Sequence, residues 1–304
     1  MNPMIAESLR SVIGPATLGL VLLVALWRPI KRDASAPKGW LVGLSFAVAL
    51  VASAVMTSGW GGFWPADTIK RLPHVVVLAF SAILLDERMR RSAAPGLGLV
   101  GPIAWGVVSI AGVWILTEHR RRGGVWEGGD IALWTLVWSG VAWLNTLTLR
   151  RYTAQERGAP GSLVVAVLTG LGSLLVVLGG SASLSQGLGV ASAWAGPLVL
   201  LALLRPSLSL AGMGGLLGLW YTAIVLLTYT TAFEPPRTAL GLTAVAPLAL
   251  WLPVAARFAG RFELARRALP ALIAIAVALG AAAATLSLGQ SPDSGGDALE
   301  DLYG

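Results

Sequence analysis

The 304-residue sequence contains no cysteine, only two histidines and only 12% charged residues. The missing cysteine excludes disulfides, thiol catalysis, Cys-ligated zinc and iron–sulfur clusters together. The shortage of charge is equally telling, since a soluble domain carries about 25%. Several catalytic signatures are also absent: no H-E-x-x-H, no paired-Asp motif and no Gly-x-Ser-x-Gly elbow occurs. A metalloprotease, an acid-clustered lipid phosphotransferase and an elbow hydrolase all lose support. The sequence therefore assigns no catalytic residue, no cofactor and no metal, and an enzyme ranks third among the functional classes.

Hydrophobic residues make up 56% of the chain, and its mean hydropathy is +0.75. So long and apolar a chain cannot hide its surface in one aqueous core. Its apolar segments are continuous rather than alternating, which argues for helices and against a β-barrel. Ten segments stand out, at 11–27, 39–57, 69–85, 95–117, 131–149, 162–181, 187–204, 208–232, 238–256 and 268–288. The expected fold class is all-α, a polytopic transmembrane helical bundle of about ten spans with no soluble domain. Residues 1–288 form the membrane domain and 289–304 an acidic tail. The first run lacks a small-x-small site at its edge, so it reads as an uncleaved span. The third is short, with 14 uncharged residues between Arg71 and Asp86. Nine spans remain open for that reason, unless Lys70 and Arg71 snorkel to the headgroups.

The net charge is +7. The basic residues sit at span ends, where topology and anionic lipid headgroups explain them better than nucleic acid does. With ten spans and an external N-terminus, 15 basic residues fall inside and 7 outside; nine spans and an internal N-terminus give 14 against 8. Both arrangements put the C-terminus outside, in what reads as a bacterial inner membrane. Arg120, Arg121 and Arg122 form an awkward external run. The tail from Gly289 carries four acids and no base. It reads as a solvated end or an acidic docking peptide. Of 13 tryptophans, Trp27, Trp40, Trp60, Trp64, Trp126 and Trp251 lie near span ends, as in an interfacial belt.

Gly96, Gly98 and Gly101 spell G-x-G-x-x-G, but no strand precedes them, so close helix packing is the better reading. Gly39 with Gly43, and Gly214 with Gly218, are G-x-x-x-G pairs with the same expected role. His74 and His119 end different segments and read as wet polar groups. Asp86 with Arg90, and Glu87 with Arg91, are spaced to pair along one solvated helix end. Pro102, Pro197, Pro247 and Pro253 interrupt spans, as broken helices do at transporter sites. One outline recurs: Pro73 opens a run ending at Glu87 and Arg88, and Pro247 opens one ending near Arg261 and Glu263. This resembles the repeat unit of ten-helix drug/metabolite transporters. The offset of six spans, where that repeat needs five, and the external termini depart from it, so no family is assigned.

No ionisable residue lies at the middle of a clear span, which weighs against proton-coupled transport and voltage sensing. Neutral polarity concentrates in two spans. In the fifth, Trp134, Trp138 and Asn145 share a stripe. In the eighth, Tyr221 with Thr228 and Thr222 with Tyr229 repeat at seven, ahead of Glu234 and Arg237. Interhelical hydrogen bonding is one reading. The other is a cavity lined by Trp138, Asn145, Tyr221, Thr222, Thr228, Tyr229, Glu234 and Arg237, which suits an uncharged or lipid-like solute. Two functions follow: a small-solute carrier, or a non-catalytic scaffold or anchor subunit whose partners are the bilayer and other membrane subunits. A carrier should show a polar cavity at mid-membrane touched by Tyr221, Thr228 or Asn145. Tight helix–helix contacts at those side chains count against it.

Overall fold

The structure is a computed structural model, and it describes residues 3–27, 38–91, 99–178, 181–231 and 237–251. These residues are helical, with one isolated β-bridge between Arg157 and Ser209. Ten α-helices follow in order. They are α1 (Pro3–Trp27), α2 (Gly39–Ser58), α3 (Leu72–Arg91), α4 (Val100–Leu116) and the short α5 (Glu118–Arg122). Then come α6 (Gly129–Gln155), α7 (Ala159–Leu178), α8 (Ala182–Leu204), α9 (Gly214–Thr231) and α10 (Arg237–Val245). A 3-10 turn, Ile69–Arg71, precedes α3, and another, Ala246–Trp251, continues α10.

Six of these helices (α1, α2, α6, α7, α8 and α9) are long and apolar enough to cross a membrane. The protein is thus an integral, all-helical membrane protein. Ten spans are not established: α10 has nine residues, and the expected span at 268–288 and the acidic tail lie outside the described residues. The doubtful third segment is a full 20-residue helix. It packs against α2, α4 and α9.

α9 carries no charge on any face, and its hydroxyls can be met by neighbouring backbone, so the helix can sit in the interior. Only Tyr229 and Thr231 of its residues escape full burial. α6 runs along it, while α3, α4, α8 and α10 complete its surroundings. A second layer forms where α7 packs along α8 and α1 along α2.

Glycine sets these contacts, because a missing side chain lets backbones meet. A Cβ on Gly218 would come 2.6 Å from the Thr146 backbone of α6, and one on Gly214 would reach the Leu149 carbonyl at 2.5 Å. A Cβ on Gly43 would lie 2.8 Å from the Gly212 carbonyl, and one on Gly212 would overlap the Gly39 carbonyl. Both G-x-x-x-G pairs are therefore packing faces. Gly101, from the G-x-G-x-x-G run, leaves room for the Asp86 carboxylate and the Arg150 guanidinium.

Three local expectations need correction. Arg71 does not snorkel: it is 3% exposed and pairs with Glu118. Asp86 does not merely finish a solvated helix end, since it takes Arg150 of α6 as a bidentate partner at 2.5 and 3.0 Å. α6 itself runs past the arginine to Gln155. The eighth apolar segment begins as irregular chain, tied to Gly158 N by the Leu208 carbonyl at 2.8 Å. Its helix starts only at Gly214. The tryptophan belt holds in part: Trp60 and Trp64 are exposed, whereas Trp27 and Trp126 are buried.

Candidate functional site

The polar stripes of α6 and α9 meet as their spacing requires. Asn145, 0% exposed, donates from Nδ2 to Thr222 Oγ1 at 2.9 Å and to the Ala244 carbonyl at 2.7 Å. Thr222 in turn donates to the Gly218 carbonyl at 2.9 Å. Tyr221 donates to the Thr243 carbonyl at 3.1 Å. Those two carbonyls have a common history. Pro247 lacks an N–H, so it cannot serve the carbonyl four residues back in an α-helix or three back in a 3-10 helix. These are Thr243 and Ala244, at the point where α10 gives way to the 3-10 turn. In hydrocarbon an unpaired carbonyl costs several kcal/mol. The proline leaves one of these two carbonyls short of a helix donor, and Tyr221 and Asn145 donate one hydrogen bond to each.

The expected cavity residues therefore divide. Asn145, Tyr221 and Thr222 are brought together, wholly buried and hydrogen-bonded between helices. Thr228 is buried and turns back to the Ile224 carbonyl at 2.9 Å. Trp138 and Tyr229 sit further along the same seam, with ring centroids 5.4 Å apart. Glu234 lies outside the described residues, as does the side chain of Arg237. Several buried groups along α4 and α6 have no hydrogen-bond partner among the described residues. They are Trp105 Nε1, Ser109 Oγ, Trp138 Nε1, Ser139 Oγ, Asn145 Oδ1 and Thr146 Oγ1.

Beyond Trp138 the seam opens. Trp126 stacks on Trp134 at 6.3 Å, and Trp134 tilts against Tyr229 at 6.1 Å. With Arg120, Asp130 and Thr230 they line a cavity of about 240 Å³. Trp126, Arg120 and Asp130 were not among the expected residues. Their common feature, a polar loop between two apolar runs, does not reveal which helix they face.

The same end of the bundle carries a second, larger cavity of about 450 Å³, lined by Trp64, Trp114, Ile115, Glu118, Arg121 and Arg122. Glu118 of its lining pairs with the buried Arg71. Arg71 also donates to the Pro65 carbonyl at 2.7 Å and lies over the Trp64 ring at 5.3 Å. Glu118 holds a second guanidinium, Arg122, at 2.6 Å. The guanidinium of Arg121 lies 3.4 Å from the Trp114 ring centre and donates to the Trp114 carbonyl at 2.5 Å. Burial, with Arg122 and Arg71 nearby, holds Arg121 below its ordinary pKa against the pull of Glu118.

The two histidines do not share a site. His74 Nε2 donates to the Phe63 carbonyl at 2.5 Å. His119 Nδ1 sits 3.2 Å from both Thr68 Oγ1 and the Leu116 carbonyl. Burial first, then Arg120 and Arg71, depresses the His119 pKa, and the Leu116 carbonyl works the other way. Among the described residues no three His, Asp or Glu side chains gather as metal ligands would.

No family model matches the chain, and neither a curated protein nor a solved structure matches it.

Proposed function

We infer that the protein is a non-catalytic membrane subunit: a rigid helical scaffold that anchors partners in the bilayer. One observation carries this reading. The polar groups at the centre of the bundle, Asn145, Tyr221 and Thr222, are used as glue between α6, α9 and the broken α10. Such bonds join helices where no hydrophobic force acts between them. The near-complete burial of α9 and the close-packed glycines at 39, 43, 212, 214 and 218 support the same view. The arginine asymmetry supports an external C-terminus. Extraction in mild detergent tests the reading. A scaffold leaves the membrane with another subunit in fixed ratio, and recovery as a lone 31.5 kDa chain overturns it.

A carrier of small uncharged solutes is the second reading. The unpartnered groups along α4 and α6 favour it, because buried polar atoms without protein partners usually hold water or ligand. The aromatic cavity above Trp138 would be its mouth. The two readings part over whether water reaches Thr222.

A further inference from the structure

The cavity between Trp64, Trp114, Arg121 and Arg122 holds more positive charge than the protein neutralises. Among the described residues Glu118 is its one acid, and Arg71 and Arg122 both already pair with it. Arg121 has no carboxylate partner among the described residues. Its guanidinium face lies on Trp114 while its Nε is buried without an acceptor. Three guanidinium groups around one carboxylate leave about two positive charges beside a space of about 450 Å³.

The neighbouring surface of α4 is equally specific. Ile103, Val107, Ile110 and Trp114 are all about half exposed or more. Their spacing of four, three and four residues puts them on one helix face. That face leads along α4 to the cavity mouth at Trp114. An apolar stripe ending at an aromatic and arginine-lined recess matches one kind of molecule: a long hydrocarbon chain with an anionic head.

We propose that this recess binds the phosphate of an anionic phospholipid, held by Arg121 and Arg122 between the Trp64 and Trp114 rings, with an acyl chain lying on the Ile103–Val107–Ile110 stripe. Guanidinium groups suit phosphate because their N–H donors match its oxygens in paired geometry. Tryptophan suits the headgroup level because its ring tolerates both phases. Glu118 keeps Arg71 and Arg122 in place without cancelling the site.

Lipid titration into the full-length, detergent-purified protein tests this. Native mass spectrometry counts bound lipid, and thermal unfolding follows its effect. Dioleoyl phosphatidylglycerol is compared with dioleoyl phosphatidylcholine and with inorganic phosphate. The expected result is tighter binding of phosphatidylglycerol, weakened about fivefold for each arginine replaced in R122Q and in R121Q/R122Q. R157Q, in the connection beyond the C-terminus of α6, leaves binding unchanged. Arg122 is 78% exposed, so R122Q folds even where the double variant does not. Equal affinity of wild type and R122Q overturns the site. Stabilisation by inorganic phosphate that matches phosphatidylglycerol overturns the lipid assignment in favour of a soluble anion.

Discussion

The two ends of the bundle each carry a cross-helix ion pair, yet they are built differently. At one end Asp86 and Arg150 sit among Gly39, Gly101, Gly212 and Gly215 around a space of about 30 Å³, enough for about one water. At the other, Arg71 lies over the Trp64 ring and pairs with Glu118, which lines the cavity of about 450 Å³, and Arg120 two residues on lines the one of about 240 Å³. Glycine draws backbones together, whereas tryptophan and arginine hold them apart and leave room. The first end is a clasp and the second a surface that can receive something. On the proposed scaffold reading, the Arg71 end is the one with room for a partner or ligand.

The comparison is broken most severely at its ion pairs. Arg71→Ala leaves the buried Glu118 only the exposed Arg122 as a partner and should cost about 3 kcal/mol in detergent unfolding. Arg150→Ala, where the pair keeps 13–19% exposure, should cost less, about 1–3 kcal/mol. An equal or reversed order would contradict the difference in burial.

Glycine substitutions come next. Gly214→Ala drives a Cβ into Leu149 and Thr153 and should cost about 1–3 kcal/mol. At the other end of α6, Gly129→Ala meets nothing within 4 Å and should change the melting temperature little. Similar losses at both positions would show that the wide end is as tightly packed as the clasp.

Smaller still is the effect of Asn145→Ala, about 1–2 kcal/mol from the freed Ala244 carbonyl. It should shrink in a Pro247→Ala background, where the restored N–H serves a carbonyl of the same pair. A double-mutant cycle showing no coupling would remove Pro247 from the account.

The pH dependence is the mildest effect. The His119 pKa is lower in the folded protein than its ordinary value of about 6.5. The unfolded chain thus takes up the proton first as pH falls, so stability drops below about pH 6.5 and is unaffected above it. His119→Asn should flatten that slope. A slope that survives the substitution assigns it to another group.

Much of this was legible in the sequence, for local reasons. The i, i+4, i+11 stripe of Trp134, Trp138 and Asn145 fixed which face of α6 meets α9, and G-x-x-x-G spacing identified the close contacts. The ion pairs were not legible. Arg71 and Glu118 are 47 residues apart, and Asp86 and Arg150 are 64 apart. Each charge alone argues for a span end, and only the partner on another helix shows that it can be buried. Gly212 was hidden likewise, because its reason for being glycine is the Gly39 backbone. Asn145 and Tyr221 stood out in the sequence by their polarity, but the carbonyls they bond lie beside Pro247 on another helix, which spacing within one helix cannot reveal.

Because the chain has no cysteine, single thiols report solvent access without background. The most direct measurement is labelling of Thr222→Cys and Val125→Cys in native membranes with a water-soluble maleimide. Val125 is 55% exposed at the wide end, and Thr222 is 1% exposed at the Asn145 level. A scaffold with a sealed centre predicts labelling at 125 and none at 222. Labelling at 222 would contradict it and hand the seam along α6 to a carrier.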